Sequence, residues 1–322
     1  MEGPFETHDL KETALTLGFH SAGVCDAIAP PHLEAYRRWI QRGHHGSMAY
    51  LQEHLPLKES PQTLLPGTQS IVAVALNYNQ PNPVREGEPR IARYALGRDY
   101  HRVLRSKLKR LASWIEEAYP GTQTRACVDS APILEREYAN LAGLGFFGKN
   151  TMLIDPKRGS WFFLGLLLTT VRFTPDAPFV GGCGECTRCI DACPTGAILN
   201  LEGTWQVDAR KCISYLTIEH RGQIEPELQP HMGSWTFGCD ICQEVCPFNE
   251  ERASQPLRAT QTQEEGFLAA RKWPTLSEMA SLGEDGWDAL TQGSAVRRTG
   301  REGLARNAAI NLENSRSTSG TD

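Results

Sequence analysis

The placement of cysteine constrains this chain more than any other feature. Eight of its ten cysteines lie between Cys183 and Cys246. Cys183, Cys186, Cys189 and Cys193 spell C-x2-C-x2-C-x3-C-P, closing on Pro194. Cys239, Cys242 and Cys246 spell C-x2-C-x3-C-P, closing on Pro247, and Cys212 stands between the runs. Two-residue gaps let a loop wrap three thiolates around one face of a cubane. The fourth cysteine, redirected by its proline, reaches a second cluster instead. The spacing therefore assigns Cys183, Cys186, Cys189 and Cys246 to one [4Fe–4S] cluster, and Cys193, Cys212, Cys239 and Cys242 to another. Structural zinc competes, because zinc also takes four thiolates, but zinc ribbons show separated C-x2-C pairs rather than a quadruple run. Cys25 and Cys127 stand alone in strand-like segments and read as buried apolar residues.

The rest of the chain must say what such clusters serve. Its 322 residues allow about two domains, and 40% hydrophobic content is ordinary for a globular protein. The N-terminus, MEGPFETHDLKE, has neither a basic nor an apolar stretch, so no secretory signal is read there. The longest apolar stretch, Trp161 to Val171, is far short of the roughly 20 residues a bilayer requires. A cytoplasmic location without membrane contact is expected, and in that reducing compartment clustered cysteines point to metal. A net charge of −5 argues against a general nucleic-acid binder. Two local patches qualify that: Arg85 to Arg110 holds nine Lys/Arg against three acids, and Gln292 to Arg316 holds five Arg against two Glu. Either is a polyanion surface or a solvated helix face.

Three zones follow in order, giving an α+β chain. Residues 1–175 alternate helix-like and strand-like patterns and predict a domain with a mixed sheet. Strands are expected at Ser70–Leu76, Thr124–Val128, Met152–Ile154 and Trp161–Thr169, the last two joined by the turn Asp155–Gly159. Helices are expected at Asp99–Tyr119 and at Pro132–Leu144, the latter closed by Gly145. Residues 176–250 form the two-cluster, ferredoxin-like module. Residues 251–322 read as helical, with Val296, Leu304, Ala308, Ala309 and Leu312 as one buried stripe and a frayed tail from Ser315.

The first zone shows no dinucleotide fingerprint and no Walker loop. Asp129 is its best catalytic candidate, because it ends a short strand just before a helix. In an apolar setting its carboxyl pKa would rise and suit a proton donor; the plainer reading is a helix cap by Asp129 or Ser130. Gly145–Asn150 and Asp155–Ser160 read as binding loops or as ordinary turns.

The order of several motifs resembles the epoxyqueuosine reductase family. These are Arg93-Tyr94-Ala95-Leu96-Gly97-Arg98-Asp99-Tyr100-His101, Val128-Asp129-Ser130-Ala131-Pro132, Gly148-Lys149-Asn150, the cysteine runs with Gly238-Cys239-Asp240-Ile241-Cys242-Gln243, then Ser294 to Arg298 and Arg306 to Ile310. The resemblance implies an N-terminal cobalamin-binding catalytic domain, related to reductive dehalogenases, and C-terminal HEAT-like helices. It implies reduction of epoxyqueuosine to queuosine at the wobble position of tRNA, the last step of queuosine biosynthesis. Electrons from an external donor would pass through the clusters to cobalamin, cob(I)alamin would act on the epoxide, and Asp129 would donate a proton. Lys58, Asp129, Lys149, Asn150, Ser160, Ser214 and Asp240 are the implied cobalamin contacts. Arg297, Arg298, Arg301 and Arg306 are the implied contacts to the anticodon stem-loop, and a monomer is implied. Asp99-Tyr100-His101-Arg102-Val103-Leu104 starts like the D-x-H-x-x-G motif of other cobalamin proteins but lacks its glycine, which fits a base-off cofactor. A corrinoid reductive dehalogenase and a plain iron–sulfur electron carrier are the alternative readings.

Overall fold

The structure, a computed structural model, describes residues 4–84, 87–268 and 271–319. Its first part is built on helices α1 (His8–Thr16), α2 (Leu33–Gln41), α3 (Tyr100–Ala118) and α4 (Glu135–Leu141), with strands β1 (Ser21–Asp26), β2 (Ser70–Asn77), β3 (Thr124–Cys127) and β4 (Phe162–Thr169). The strands form one sheet in the order β1-β2-β4-β3. All three pairings are antiparallel, so the expected mixed sheet is corrected. Alternating helix and strand patterns show that elements exist but not their direction; here the long connections return each strand against its neighbour.

The central strands read as continuous apolar runs because both faces are covered. Side chains alternate across a strand. Val72, Val74 and Leu76 of β2 enter one core with Leu104, Leu108, Leu111 and Ile115 of α3. Ile71, Ala73 and Ala75 enter another with Tyr138 and Ala139 of α4. Gly165 lets α3 approach β4, since a Cβ there would lie 3.0 Å from Leu108 and 3.2 Å from Leu104. Truncating a fully buried leucine such as Leu108 to alanine costs about 2–5 kcal/mol. Cys25 and Cys127 are buried in the second core, as their apolar reading expects.

Two local expectations change. Leu153–Ile154 pairs with Phe146–Phe147 rather than with β4, so the Asp155–Gly159 turn separates two sheets. Helix α4 starts only at Glu135 and is closed by Gly143, at φ +79°, not Gly145. The Leu144 and Gly143 amides bond back to the carbonyls of Ala139 and Asn140, a Schellman closure.

The cysteine-bearing zone is mostly loop. It holds α5 (Arg188–Asp191), the hairpin β5 (Ile198–Leu201) and β6 (Thr204–Val207), α6 (Ile213–Ile218), β7 (Trp235–Phe237) and α7 (Ile241–Glu244). The C-terminal region does not keep to itself. Gly266 and Phe267 reach back to the first part, where Phe267 joins the core beside Phe163. Leu276, Met279, Val296, Leu304 and Ala308 share one core with Ile218 and Phe237 of the cysteine zone and Ile91 of the first. The regular elements here are α8 (Leu276–Ala280), α9 (Glu284–Thr291) and α10 (Gly300–Ser319). Within α10 the expected stripe shifts. Ala309 is exposed, and Asn307 and Asn311 are buried instead. Asn307 donates to the carbonyls of Thr217 and Thr236, at 2.8 and 2.9 Å. The helix continues to Ser319, past the start of the expected frayed tail. Among the described residues no helix is long and apolar enough to cross a membrane.

Candidate active site

The eight cysteines fall into two groups. Cys183, Cys186, Cys189 and Cys246 line one cavity together with Asn150, Ile154, Pro247 and Phe248. Cys193 and Cys212 lie beside Cys239, and Cys212 and Cys239 lie beside Cys242. These are the two sets expected from the spacing. Packing of α5 on α7 brings the sets next to each other, with Cys242 facing Cys189. Burial, reinforced by the neighbouring sulfurs, raises the Cys189 thiol to about 11 and pushes Cys239 and Cys242 higher still. Such closely grouped sulfurs are a natural seat for a cationic cluster, because metal binding deprotonates thiols that burial otherwise keeps neutral. The Lys149 and Ala197 amides donate to Cys183 and Cys193 Sγ, each at 3.4 Å.

The second centre is built at the ends of β3 and α3. Asp99 caps α3, accepting from the His101 amide at 3.0 Å. Asp129 follows β3 at φ +49°, a left-handed conformation that aspartate tolerates better than most residues. The two carboxylates bracket one imidazole. His101 Nδ1 is 2.7 Å from Asp99 Oδ1, and its Nε2 is 2.9 Å from Asp129 Oδ2. Beneath them the Tyr100 ring stacks on Phe163 at 4.2 Å. Burial works against a charge on His101, but its hydrogen bonds to the Asp129 and Asp99 carboxylates outweigh it and raise its pKa to about 9.

For Asp129 burial pushes upward and is outweighed by His101 and Tyr100, so its pKa is lowered. The raised pKa expected for Asp129 is thus corrected: its setting is ionic, not apolar. The helix-cap reading fails as well, because neither Asp129 nor Ser130 caps α4. The Asp129 amide instead donates to the Glu135 carboxylate at 2.6 Å. Glu135, desolvated and close to anionic Asp129, is the group whose pKa rises, to about 8.

Of the implied cobalamin contacts, Lys58 lies with this centre. It is buried, 5.8 Å from the Tyr36 ring centroid, and feels Glu135 and Asp129. Among the described residues its ammonium makes no hydrogen bond or ion pair. Three of the others gather around α7. Ser160 donates to Gln243 Oε1 at 2.9 Å, Asn150 donates to the Cys242 carbonyl at 3.2 Å, and Asp240 accepts from the Arg93 amide at 2.8 Å. Lys149 lies over Trp205, and the Ser214 amide points at Cys212. Tyr94 is close to both Asp129 and Asp240, so the two groups border one region.

These residues would suit a corrinoid: Lys58 would offer its buried ammonium, which makes no ion pair among the described residues, to an amide or phosphate, while His101 is committed to two carboxylates.

The implied RNA contacts divide. Arg297 pairs with Asp288 at 2.5 Å. Arg298 pairs with both Glu219 oxygens, at 2.8 and 2.9 Å, and also faces Tyr50 and Asp129. Arg306 bonds the carbonyls of Leu216, His220 and Gly222, so it holds α10 to α6. Arg301 has no such tie among the described residues. Glu135, Tyr50 and the inward role of Arg298 escaped sequence reasoning. The one available signal was Asp99-Tyr100-His101, a cap followed by an imidazole at a helix start.

Comparison with known proteins decides the family. A family model for epoxyqueuosine reductase QueG matches residues 58–130, and one for a 4Fe–4S double cluster binding domain matches residues 182–249. The epoxyqueuosine reductase of Synechococcus sp. (strain RCC307) is 43% identical over 90% of this chain and 88% of its own. The chain belongs to the epoxyqueuosine reductase family. The Escherichia coli (strain K12) enzyme is 41% identical over 95% of this chain and 80% of its own. An epoxyqueuosine reductase crystal structure with an epoxyqueuosine-modified tRNA-Tyr stem loop has a TM-score of 0.82 at 29% identity, covering 97% of this chain and 82% of that one. The Bacillus subtilis epoxyqueuosine reductase, in a form described as having its catalytic aspartate loop swung out of the active site, has a TM-score of 0.80 at 29% identity and the same coverage. The first family match ends one residue beyond Asp129, so the His101–Asp129 pair lies within the segment that marks an epoxyqueuosine reductase. The second carries iron–sulfur binding to the cysteine zone.

Proposed function

We propose that this chain reduces epoxyqueuosine to queuosine at the wobble position of tRNA, the last step of queuosine biosynthesis. The observation that carries this reading is its family membership, over nearly the whole chain, together with a relative seated on the modified stem loop. Removing an epoxide oxygen to leave an alkene consumes two electrons and two protons and releases water. An external donor supplies the electrons. Cys183, Cys186, Cys189 and Cys246 hold one cluster, and Cys193, Cys212, Cys239 and Cys242 the other, together forming a short relay. Lys58 is the main contact for cobalamin, supported by Lys149, Asn150, Ser160, Ser214 and Asp240. Bound there, cobalamin supplies a nucleophilic, low-potential cobalt for the epoxide.

The protons come from the chain. The raised pKa values of His101 and Glu135, about 9 and 8, favour their protonated forms at neutral pH. Asp129 is half-exposed and takes its hydrogen bond from His101, so it can pass that proton to the opening oxygen and be recharged. The two protonated neighbours match the two protons the reaction needs. In the Bacillus subtilis relative a catalytic aspartate loop leaves the active site; a loop bearing Asp129 that moves likewise would alternate between His101 and substrate.

The cluster-loaded protein, given cobalamin and a strong reductant, should convert epoxyqueuosine-tRNA to queuosine-tRNA; absence of product would refute the function. Asp129→Asn should lower turnover on the order of 10²–10⁴-fold with iron content unchanged. Full turnover by that variant would remove Asp129 from the proton path alone.

A further inference from the structure

We infer that the outward face of α3 is a phosphate track for the RNA strand that carries the modified nucleotide. The inference rests on the tRNA reading above and names a surface that reading did not use. Arg102, Arg105 and Lys109 recur at helical spacing and are all exposed. Leu104, Leu108, Leu111 and Ile115 cover the opposite, buried face. The track runs about 10 Å from Arg102 to Lys109, enough to meet successive phosphates.

The helix sorts its cations by destination. Lys107, turned toward the first part's edge, is neutralised by Glu264 at 2.8 Å and also donates to the Leu17 carbonyl. Among the described residues, Arg102, Arg105 and Lys109 form no ion pair. The acids nearest the start of the track, Asp99 and Asp129, are both engaged by His101. Three C-terminal arginines contrast, since Arg297 and Arg298 are neutralised by acids and Arg306 has its donors taken up by carbonyls.

Position supplies the second argument. Arg105 donates to Ser130 Oγ at 2.8 Å, next to Asp129. A nucleotide whose base reaches Asp129 must therefore leave its flanking backbone near the start of this row. Unpaired cations there position an RNA strand without reading its bases. A merely solvated face would have no reason to begin at the catalytic carboxylate.

The test uses the holoenzyme, an anticodon stem-loop RNA and epoxyqueuosine-tRNA. Arg105 is left intact because it touches the Asp129 loop. Arg102→Gln with Lys109→Gln should raise KM for the tRNA on the order of tenfold at 0.15 M salt, with kcat retained. The slope of log Kd against log salt for the stem-loop should fall by about 1.5, since each lost phosphate contact removes roughly 0.7–0.9. Arg172→Gln, a single exposed charge loss just past β4, at the end of the sheet away from Asp129, should leave both unchanged. An unaltered KM and salt slope in the double variant, with wild type active, would overturn the track. If wild type binds RNA with this α3-dependent slope yet never reduces the tRNA, the track stands and the catalytic reading falls.

Discussion

Among the eight grouped thiols, Cys183, Cys186 and Cys189 follow at two-residue gaps, as do Cys239 and Cys242, whereas the groups around Asp129 come from segments as distant as Lys58 and Arg298. In the thiol region those gaps bring the first sulfurs of each set together, and only Cys193, Cys212 and Cys246 must be delivered by packing of short helices and loops. In the Asp129 region no spacing connects the partners. The sheet must first place β3 at its edge, and α3 must pack over Gly165, before His101 meets Asp129. A loop-borne metal centre is thus local and tolerant of its scaffold. A site built at strand and helix ends is only as good as the fold that aligns it.

That difference can be broken at its strongest point first. Cys242→Ser removes a ligand from the set that includes Cys193, Cys212 and Cys239. Iron should fall from about eight atoms per chain toward four, and turnover should drop by more than about 10³-fold, as for loss of one of a set of groups acting as a unit. Retained iron and activity would break the ligand assignment.

The middle-sized effect belongs to His101. Its pKa is raised to about 9, so it keeps its proton through neutral pH and loses it as pH rises through that value. Wild-type turnover should therefore fall above about pH 8, where Glu135 loses its proton, and again in a second limb above about pH 9. His101→Gln should lower turnover by roughly 10–100-fold and abolish that alkaline limb, with iron content intact. A pH profile that His101→Gln leaves unchanged would show that the imidazole only supports the loop.

The smallest effect tests the scaffold between the two regions. Asn307→Leu leaves two buried carbonyls without their donor, and should destabilise the fold by about 1–3 kcal/mol in urea unfolding. Once folded, the variant should turn over normally. A loss of clusters at full stability would mean that α10 shapes the thiol region directly.

Legibility followed the same divide. Helix α3 was readable because Leu104, Leu108, Leu111 and Ile115 repeat at its period, and β2 because its apolar run is short and β-branched. Strand direction was not, since the same pattern serves either sense. Ala309 was misread as buried, and the buried Asn307 and Asn311 were not included in the stripe, because a helix that bonds its neighbours through buried amides breaks the apolar code. The motif around Asp129 carried an expectation with the wrong electrostatics, since a raised pKa requires apolar surroundings and the sequence does not show who those surroundings are.

By itself the sequence determined how the closely spaced cysteines group, because short covalent gaps limit where a thiol can reach. It also determined the family, through the order of its motifs. Only the tertiary structure decided the charge states at Asp129. A carboxylate's pKa depends on the groups within a few ångströms, and His101, Glu135, Lys58 and Arg298 become neighbours only when the sheet, α3 and the C-terminal helices close around it.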